Sequence, residues 1–347
     1  MKKEKDIPPM RLKIQPDYTR FVNINRYFSM DNINVFVLTG GRGIGKTTGL
    51  NIHCLQEYMN KGNEFVYIRR YKTEIIKAKT MLDPLCDHIS CKGTGSGTFE
   101  FQYGGVRIGY GISLTASLSV KSGMDFSKVT TIVFDEYILP PGGNIRYLKD
   151  EITMIFELIS TIVRARTNYK IFFLGNNVDM FNPLFAYFNV PFFKYSYTDK
   201  ERGLYCEMAK TKQELYVEEQ KTPLYKLTQG TNYAKYHYEN EVLRTSTGTI
   251  GEKDRNAKLM FRLIYEGTTL NIYRNKVDEL YVEFRDKVIN DDISLELMKN
   301  NRPNYYNITL FRNHAYKGIL DICYYAKRVI YNNDKAIQLL DYIMDLI

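Results

Sequence analysis

The sequence predicts an α/β fold with a smaller α+β domain towards its C-terminal end. Three observations support this prediction. A short apolar strand at 34–39 leads into a glycine-rich loop and a helix, and a second apolar strand at 130–134 ends in two acidic residues. From residue 258 onwards, apolar and polar residues alternate over three segments of strand length. Strands separated by helices favour a parallel sheet, whereas closely spaced alternating strands favour an antiparallel one.

Residues 1–30 are predicted to form a basic N-terminal arm that precedes the first strand. The stretch contains Lys2, Lys3 and Lys5, and prolines interrupt it. A basic terminal arm can contact nucleic acid, but this composition is more typical of a loosely ordered tail.

The loop after the first strand has the spacing of a phosphate-binding loop, G-x-x-x-x-G-K-[ST]. Its residues are Gly40, Gly41, Arg42, Gly43, Ile44, Gly45, Lys46 and Thr47. Glycines let successive backbone N–H groups turn towards a phosphate, the lysine offsets β- and γ-phosphate charge, and the threonine hydroxyl binds Mg²⁺. A helix is predicted to follow from Thr48 to Lys61. We therefore predict that this loop and Thr48 bind a nucleotide with Mg²⁺.

A second buried strand is predicted at 64–68, and the cations Arg69, Arg70 and Lys72 follow it. Ligands bind at the carboxyl ends of strands in open α/β sheets. Arg70 or Lys72 could therefore face the nucleotide or a neighbouring subunit, and surface ion pairs are the alternative.

The segment up to residue 110 predicts a helix, a loop and a hairpin. The helix covers 73–88, and a flexible glycine-rich loop covers 92–97. The hairpin has strands at 99–103 and 106–110, because apolar and polar residues alternate on both sides of a Gly-Gly turn.

The strand at 130–134 is followed directly by Asp135 and Glu136. Asp135 is placed to complete the Mg²⁺ shell together with Thr47. Glu136, one residue further on, can polarise the attacking water as a general base. Acidic residues are common in turns, so this interpretation depends on the phosphate-binding loop that precedes them.

A helix is predicted over 147–163, and a further buried strand over 170–175. Arg164 and Arg166 follow the helix, where cations also suit the helix dipole. Asn176 follows the strand and could hydrogen-bond the γ-phosphate or the lytic water. A simple turn asparagine is the alternative.

The predicted domains are the arm at 1–30, an ATP-binding α/β domain at 31–200, a linker at 201–230 and a second domain at 231–347. Strands are predicted in the second domain at 259–265, 269–273 and 280–285, followed by helices at 315–331 and 336–347.

Charge and composition restrict the partners. The formal net charge is +9, and residues 1–200 contain 26 lysines and arginines against 18 aspartates and glutamates. A basic surface in the nucleotide-binding part suits a polyanion such as DNA.

The five cysteines are scattered along the chain, which favours reduced thiols in a cytoplasm. No apolar run approaches the roughly 18 residues that are needed to span a membrane. We therefore expect no membrane partner.

Four segments together resemble the genome-packaging ATPase of small podoviruses that replicate by protein priming. They are 40–47 (GGRGIGKT), 66–72 (VYIRRYK), 131–136 (TIVFDE) and 182–185 (NPLF). The resemblance implies the additional-strand, catalytic-glutamate class of P-loop NTPase, related to terminases and FtsK/HerA-like translocases. It also implies ATP and Mg²⁺ as cofactors.

The same resemblance implies a homo-oligomeric ring, expected to be a pentamer, on the portal (connector) of a procapsid. Such a motor threads double-stranded DNA inward. Whether a structural RNA is a further partner stays an open question at this point. The protein would then be found in the host cytoplasm, and transiently at the portal vertex.

In that family, an arginine ahead of the sensor strand reaches the ATP of the neighbouring subunit. Arg164 is the matching position here, and Arg166 is the alternate. Lys121 matches another residue that acts across the interface, and Arg42 matches one that couples nucleotide state to motion. Relatives can carry a DNA-contacting lysine after the position of Glu136.

In this sequence, the loop after Glu136 has Pro140-Pro141-Gly142-Gly143 instead of such a lysine. DNA contact in that loop would therefore fall to Arg146 or Lys149.

The second domain would resemble an RNase H-like nuclease fold that has lost catalysis. Two-metal cleavage needs carboxylates that converge from strand centres. The first strand offers Arg262 and no acid, Glu266 and Asp278 lie at predicted turns, and Glu283 alone lies inside a strand. We therefore expect a docking module for portal, DNA or RNA.

Three other functions stay open at this point. The chain could be a large terminase with an active nuclease, a P-loop helicase or recombination translocase, or a structural ring protein that uses nucleotide as a switch. The placement of Glu136 argues against the last of these.

Overall fold

The structure is a computed structural model, and it describes residues 8–95, 97–121, 124–139, 147–148, 150–176, 182–188, 190, 195–238, 249–265, 267–276, 279–297, 311 and 314–346. The chain forms two compact units. The first comprises 1–178 and 193–243, and the second comprises 179–192 and 244–347.

The first unit is built on a nine-stranded sheet. Its strands are β1 (Val35–Gly40), β2 (Glu64–Arg69), β3 (Ile89–Gly95), β4 (Thr98–Tyr103), β5 (Val106–Ser113), β6 (Val129–Asp135), β7 (Lys170–Leu174), β8 (Ser196–Asp199) and β9 (Leu204–Ala209). Their order across the sheet is β3-β4-β5-β2-β6-β7-β1-β9-β8. An additional strand, β7, therefore lies between the strand of the phosphate-binding loop and the strand that ends in the acids, and it is parallel to both. The predicted α/β fold is confirmed.

Helices precede, connect and follow these strands. In chain order they are α1 (Asn25–Phe28), α2 (Lys46–Lys61), α3 (Lys72–Leu82), α4 (Glu151–Val163), α5 (Pro183–Tyr187, in the second unit), α6 (Gln213–Glu219), α7 (Pro223–Thr228) and α8 (Asn232–Tyr238), with a 3₁₀ helix at Leu114–Lys121. Helix α2 begins after Gly45 and ends before Gly62, and both glycines have the left-handed backbone that glycine adopts without a steric penalty.

The predicted boundary near residue 200, with a linker at 201–230, differs from this architecture. Strand β9 pairs in parallel with β1 over Val35–Gly40, and β8 pairs with β9. Helices α6 and α7 also belong to the first unit. Strand β9 has only six residues, and its partner lies more than 160 residues earlier in the chain, so a local window of sequence gives no signal for this pairing.

Two further predictions are wrong. Residues 8–30 are not a loose arm, because Val22, Ile24 and Tyr27 are buried in the core of the first unit. The predicted loop at 92–97 is largely strand β3, which pairs antiparallel with β4. The hairpin of β4 and β5 is confirmed.

The second unit contains a six-stranded sheet. Its strands are β10 (Thr249–Ile250), β11 (Lys258–Tyr265), β12 (Thr268–Lys276), β13 (Glu279–Arg285), β14 (Ser294–Glu296) and β15 (Val329–Tyr331), in the order β10-β15-β13-β12-β11-β14. Strands β11 to β13 form the predicted antiparallel meander, and β14 lies parallel beside β11. The second unit is thus a smaller domain with a mixed sheet.

Helices α9 (Ala315–Tyr325) and α10 (Asp334–Leu346) complete the described part of the second unit. The helix predicted over 315–331 is too long, because Val329–Tyr331 forms a strand that pairs with β13. Among the described residues, no helix has the length and apolar character needed to cross a membrane.

A polar row crosses the meander at its centre. Arg262 Nε donates to Asn271 Oδ1 at 2.9 Å, and Asn271 Nδ2 donates to Glu283 Oε2 at 3.0 Å. Tyr273 and Arg285 also donate to the Glu283 carboxylate. Burial acts to raise the pKa of Glu283, but these hydrogen bonds and the Arg285 charge together lower it. Its carboxylate is thus satisfied by protein donors.

Candidate nucleotide-binding site

The phosphate-binding loop has the backbone that its glycines permit. Gly43 and Gly45 have φ angles of 83° and 86°. A Cβ atom on Gly45 would lie 2.8 Å from Cβ of Phe21, and one on Gly40 would lie 2.4 Å from the carbonyl oxygen of Ala209. The N-terminal segment and β9 therefore pack against the loop so closely that larger residues would not fit.

Lys46 is buried at the start of α2. Its ammonium group donates to the carbonyl oxygens of Gly40 at 2.9 Å and Gly41 at 2.8 Å. Burial lowers the pKa of Lys46 to about 8, although the nearby Asp135 carboxylate acts in the opposite direction. The cation thus lies within the loop, where an anionic phosphate would favour its charged form.

Thr47 and Asp135 come together although 88 residues separate them in the chain. Oγ1 of Thr47 lies 3.2 Å and 3.4 Å from the two carboxylate oxygens of Asp135. Hydroxyl and carboxylate oxygens are the ligands that Mg²⁺ prefers. The donor set therefore fits a magnesium ion bound beside the loop.

Two residues of β2, Tyr67 and Arg69, complete the surroundings of Asp135. The Tyr67 hydroxyl donates to Oδ2 of Asp135 at 2.5 Å, and Nη2 of Arg69 donates to the same oxygen at 2.9 Å. Burial and the Asp135 charge raise the pKa of Tyr67. Burial acts to lower the pKa of Arg69, but Tyr67, Asp135 and Glu136 together raise it.

These two residues were absent from the predicted site. They lie two positions apart on a strand adjacent to β6, so they share a face. The one signal available in the sequence is this spacing. Their contact with Asp135 also needs the register of the structure, in which Ile68 lies beside Phe134 and hence Arg69 next to Asp135. Register between distant strands is not visible in a single sequence.

Glu136 lies at the tip of β6 with a φ angle of 58°, a left-handed conformation that is uncommon for glutamate. Its N–H donates to Oδ1 of Asp135 at 3.0 Å. Oε2 of its carboxylate lies 2.6 Å from Nη1 of Arg69, and the side chain is 59% exposed. A general base at this position would be accessible to water and aligned by a cation.

The candidate cations lie in different environments. Arg42 is exposed in the loop, and Arg164 is exposed at the end of α4 with a φ angle of 50°. Arg166 instead donates to the backbone oxygens of Ser127, Val129 and Ile162 at 3.1, 2.6 and 2.8 Å. Among the described residues, none accepts a hydrogen bond from the Arg164 guanidinium.

The other predicted positions are only partly described. Asn176 is half-buried after β7, at the edge where β1 and β6 also end. Lys121 ends the 3₁₀ helix. Arg146 and Lys149 lie outside the described residues. Arg70 does not face a nucleotide, since it is buried and pairs with Glu151.

The sequence matches the podovirus DNA encapsidation protein (Gp16) family over residues 16–343. The chain belongs to this family. This encapsidation protein is 30% identical over 263 residues to the DNA packaging protein of Bacillus phage phi29, which covers 74% of this chain and 76% of the relative. It is also 30% identical over 246 residues to the DNA packaging protein of Bacillus phage B103, covering 71% and 75% respectively.

Solved structures share the fold of this encapsidation protein. A chain of the bacteriophage Phi-29 viral genome packaging motor assembly matches with a TM-score of 0.60 and 23% identity, over 94% of this chain and 99% of that one. A chain of the Phi-28 gp11 DNA packaging motor matches with a TM-score of 0.59 and 20% identity, over 94% and 98%. The family match is therefore consistent with the additional-strand fold, and with a site that combines the phosphate-binding loop and the acidic strand end.

Proposed function

We propose that this encapsidation protein hydrolyses ATP with Mg²⁺ and uses the energy to move double-stranded viral DNA through the portal into a procapsid. One observation carries the proposal. Beside the phosphate-binding loop, Thr47 contacts Asp135, and Arg69 pairs with both Asp135 and Glu136. Metal ligand, general base and aligning cation are therefore adjacent, as phosphoryl transfer requires.

Each residue of the site has a distinct role in this proposal. Backbone N–H groups of 40–47 bind the phosphates, and Lys46 offsets their charge once its ammonium turns from the loop carbonyls. Thr47 and Asp135 bind Mg²⁺, which would stabilise charge on the β- and γ-phosphate oxygens. Glu136 takes a proton from the attacking water.

Arg164 is the proposed trans-acting finger. Its side chain is exposed, whereas the Arg166 guanidinium already donates hydrogen bonds to three carbonyl oxygens of its own protomer. An arginine supplied by a neighbour stabilises the charge that develops in phosphoryl transfer and increases the rate by about 10³–10⁵-fold. Turnover therefore requires a closed ring, which we take to be a pentamer, and Lys121 is a second candidate at the interface.

DNA would be held by its phosphates without sequence recognition, with Arg146 and Lys149 as the proposed contacts. The second unit would dock on the portal, on DNA or on a structural RNA. The relatives are DNA packaging proteins and chains of packaging motors, and this supports the DNA and portal assignments. The protein would act in the host cytoplasm and at the portal vertex.

The test combines turnover and packaging by full-length protein on procapsids. We expect Glu136→Gln to bind ATP but to abolish both DNA-stimulated hydrolysis and DNA uptake. Glu157→Gln, at an exposed position on α4, is the matched control and should keep both activities. Hydrolysis without DNA uptake would instead support a different translocase.

The stimulation by DNA should fall steeply as salt rises, because binding through phosphates releases counterions. A stimulation that is unchanged between low and moderate salt would contradict backbone recognition.

A further inference from the structure

Arg70 and Glu151 form a buried ion pair beside the C-terminal ends of β2 and β6. Nε and Nη2 of Arg70 donate to the two carboxylate oxygens of Glu151 at 2.8 and 2.7 Å, and both side chains are 3% exposed. The same guanidinium donates to the backbone oxygens of Glu136 and, at 2.5 Å, Tyr137. We call this group, Arg70 with Glu151 and the two carbonyl groups, the Arg70 clasp.

A gain in folding stability is a poor explanation for the burial of this ion pair. Desolvation of two charges largely cancels their attraction, and well-packed apolar residues of similar volume are often as stable. The contacts of the guanidinium suggest a different role, because two of its donors bind backbone atoms rather than the carboxylate. Those atoms belong to Glu136 and to the residue after it.

The backbone at Glu136 needs external support. A non-glycine residue with a φ angle of 58° has a strained backbone, and this conformation persists only where surrounding contacts determine it. The N–H of Glu136 is bound by Asp135, and the N–H of Tyr137 donates to the carbonyl of Leu174 at 3.1 Å. Arg70 binds the carbonyl oxygens of both residues, so it orients the two peptide groups that follow Glu136.

Glu151 connects this support to α4. It is the first residue of the helix, and its Oε2 also accepts a hydrogen bond from the N–H of Leu148 at 2.9 Å. Arg164 is the C-cap of the same helix. The clasp therefore joins the backbone of the proposed base to the helix that carries the proposed finger.

We infer that Arg70, oriented by Glu151, is a positioning residue for Glu136. This inference rests on the proposed ATPase function. As the oxygen of the attacking water bonds to the γ-phosphorus and the bond to the β-phosphate oxygen breaks, the proton passes to the Glu136 carboxylate and ADP leaves. Arg70 contacts no reacting atom. It determines the direction in which the Glu136 side chain leaves the backbone.

The test uses full-length protein on procapsids with DNA. Arg70→Lys keeps the charge opposite Glu151 but cannot reach the carboxylate and both carbonyl groups together. The double variant Arg70→Met with Glu151→Leu removes the clasp without leaving a buried charge, so it should fold. Arg107→Lys is the matched control, because Arg107 pairs with Glu64 at the other end of β2.

We expect the Arg70→Lys variant and the double variant to bind ADP within about twofold of wild type. Their kcat should fall about 100-fold, because a small misplacement of a catalytic group has an effect of that size. KM should change little, and Arg107→Lys should leave kcat within about twofold. This split between kcat and nucleotide affinity is the result that a merely structural ion pair would not produce.

Two outcomes overturn the inference while leaving the proposed function intact. One is an active wild type together with an Arg70→Lys or double variant that has normal kcat. The other is a loss of kcat that only follows a loss of nucleotide binding or of folded protein in thermal melts. A wild type that binds ATP on procapsids without turning it over would overturn the proposed function itself, and the inference with it.

Discussion

Arg69 and Glu136 form an ion pair at the edge of the nucleotide site, with Nη1 of Arg69 2.6 Å from Oε2 of Glu136. Nη2 of the same guanidinium lies 2.9 Å from Oδ2 of Asp135. One buried cation therefore contacts both the proposed metal ligand and the proposed base. The carboxylates of Asp135 and Glu136 are thus linked through a single planar guanidinium group.

Removal of this cation should destabilise the protein. In an Arg69→Met variant, Asp135 would keep a buried charge without its partner, which typically costs about 3–5 kcal/mol. Urea denaturation without nucleotide measures the change in free energy of unfolding. Arg202→Met is the control, because the Arg202–Asp199 pair is more exposed and pairs of that kind contribute about 0–1 kcal/mol. Equal losses in the two variants would contradict the importance of the buried pair.

Gly45→Ala should be more harmful than Gly62→Ala, although both glycines have left-handed backbones at the two ends of α2. A left-handed alanine alone costs about 1–2 kcal/mol. A Cβ atom on Gly62 meets nothing within 4 Å, whereas one on Gly45 lies 2.8 Å from Phe21. Overpacking adds about 1–3 kcal/mol at Gly45.

Thermal or urea unfolding of the two variants gives this difference directly. If Gly45→Ala and Gly62→Ala lost the same stability, the contact between the N-terminal segment and the loop would not be tight. Restoration of stability by Phe21→Ala in the Gly45→Ala background would support it.

The parts of the fold that the sequence predicts are those with local signals. The phosphate-binding loop depends on eight consecutive residues, and the acids at 135–136 follow their strand directly. The meander of the second unit has three segments of strand length, rich in apolar residues and separated by short turns. In each case, neighbours in the chain are also neighbours in the structure, so one window of sequence contains the whole pattern.

The missed features depend on pairing between distant segments. Strand β9 becomes recognisable only when it lies beside β1. The N-terminal segment is recognisable as part of the core only when Phe21 contacts the phosphate-binding loop. Arg69 joins the site because β2 lies next to β6 in a particular register. Its neighbour Arg70, an equally plausible ligand by sequence, follows the last residue of β2 and pairs with Glu151 instead.

Nucleotide binding should take up protons in mildly alkaline solution. Burial in the free protein lowers the pKa of Lys46 to about 8, so more than half of the population has a neutral amine above that pH. Anionic phosphates favour the charged ammonium and raise its pKa on binding. Titration calorimetry of ADP binding near pH 8.5, in buffers with different ionisation enthalpies, measures the uptake.

Lys46→Arg is the control for this measurement, because a guanidinium stays protonated over the whole range. In this variant, residue 46 should take up no proton, so it should add no buffer dependence to the enthalpy of ADP binding. A buffer dependence that is the same in wild type and variant would assign the proton to another residue and contradict the role of burial at Lys46.

Two inactive variants should restore activity when they are mixed. In a head-to-tail ring, an Arg164→Ala protomer keeps its own Glu136 and can receive Arg164 from an adjacent Glu136→Gln protomer. Random mixing at equal amounts would give a complete site at about one quarter of the interfaces. DNA-stimulated ATP hydrolysis by procapsid-bound mixtures measures this recovery.

The matched control mixes Arg164→Ala with the double variant Glu136→Gln/Arg164→Ala, in which no interface can combine both residues. It should show no recovery. Failure of the first mixture to recover, in rings shown to contain both variants, would mean that Glu136 and Arg164 do not act at one shared interface. Because each residue lies on a different protomer in this arrangement, recovery separates a trans-acting arginine from one that only stabilises its own helix.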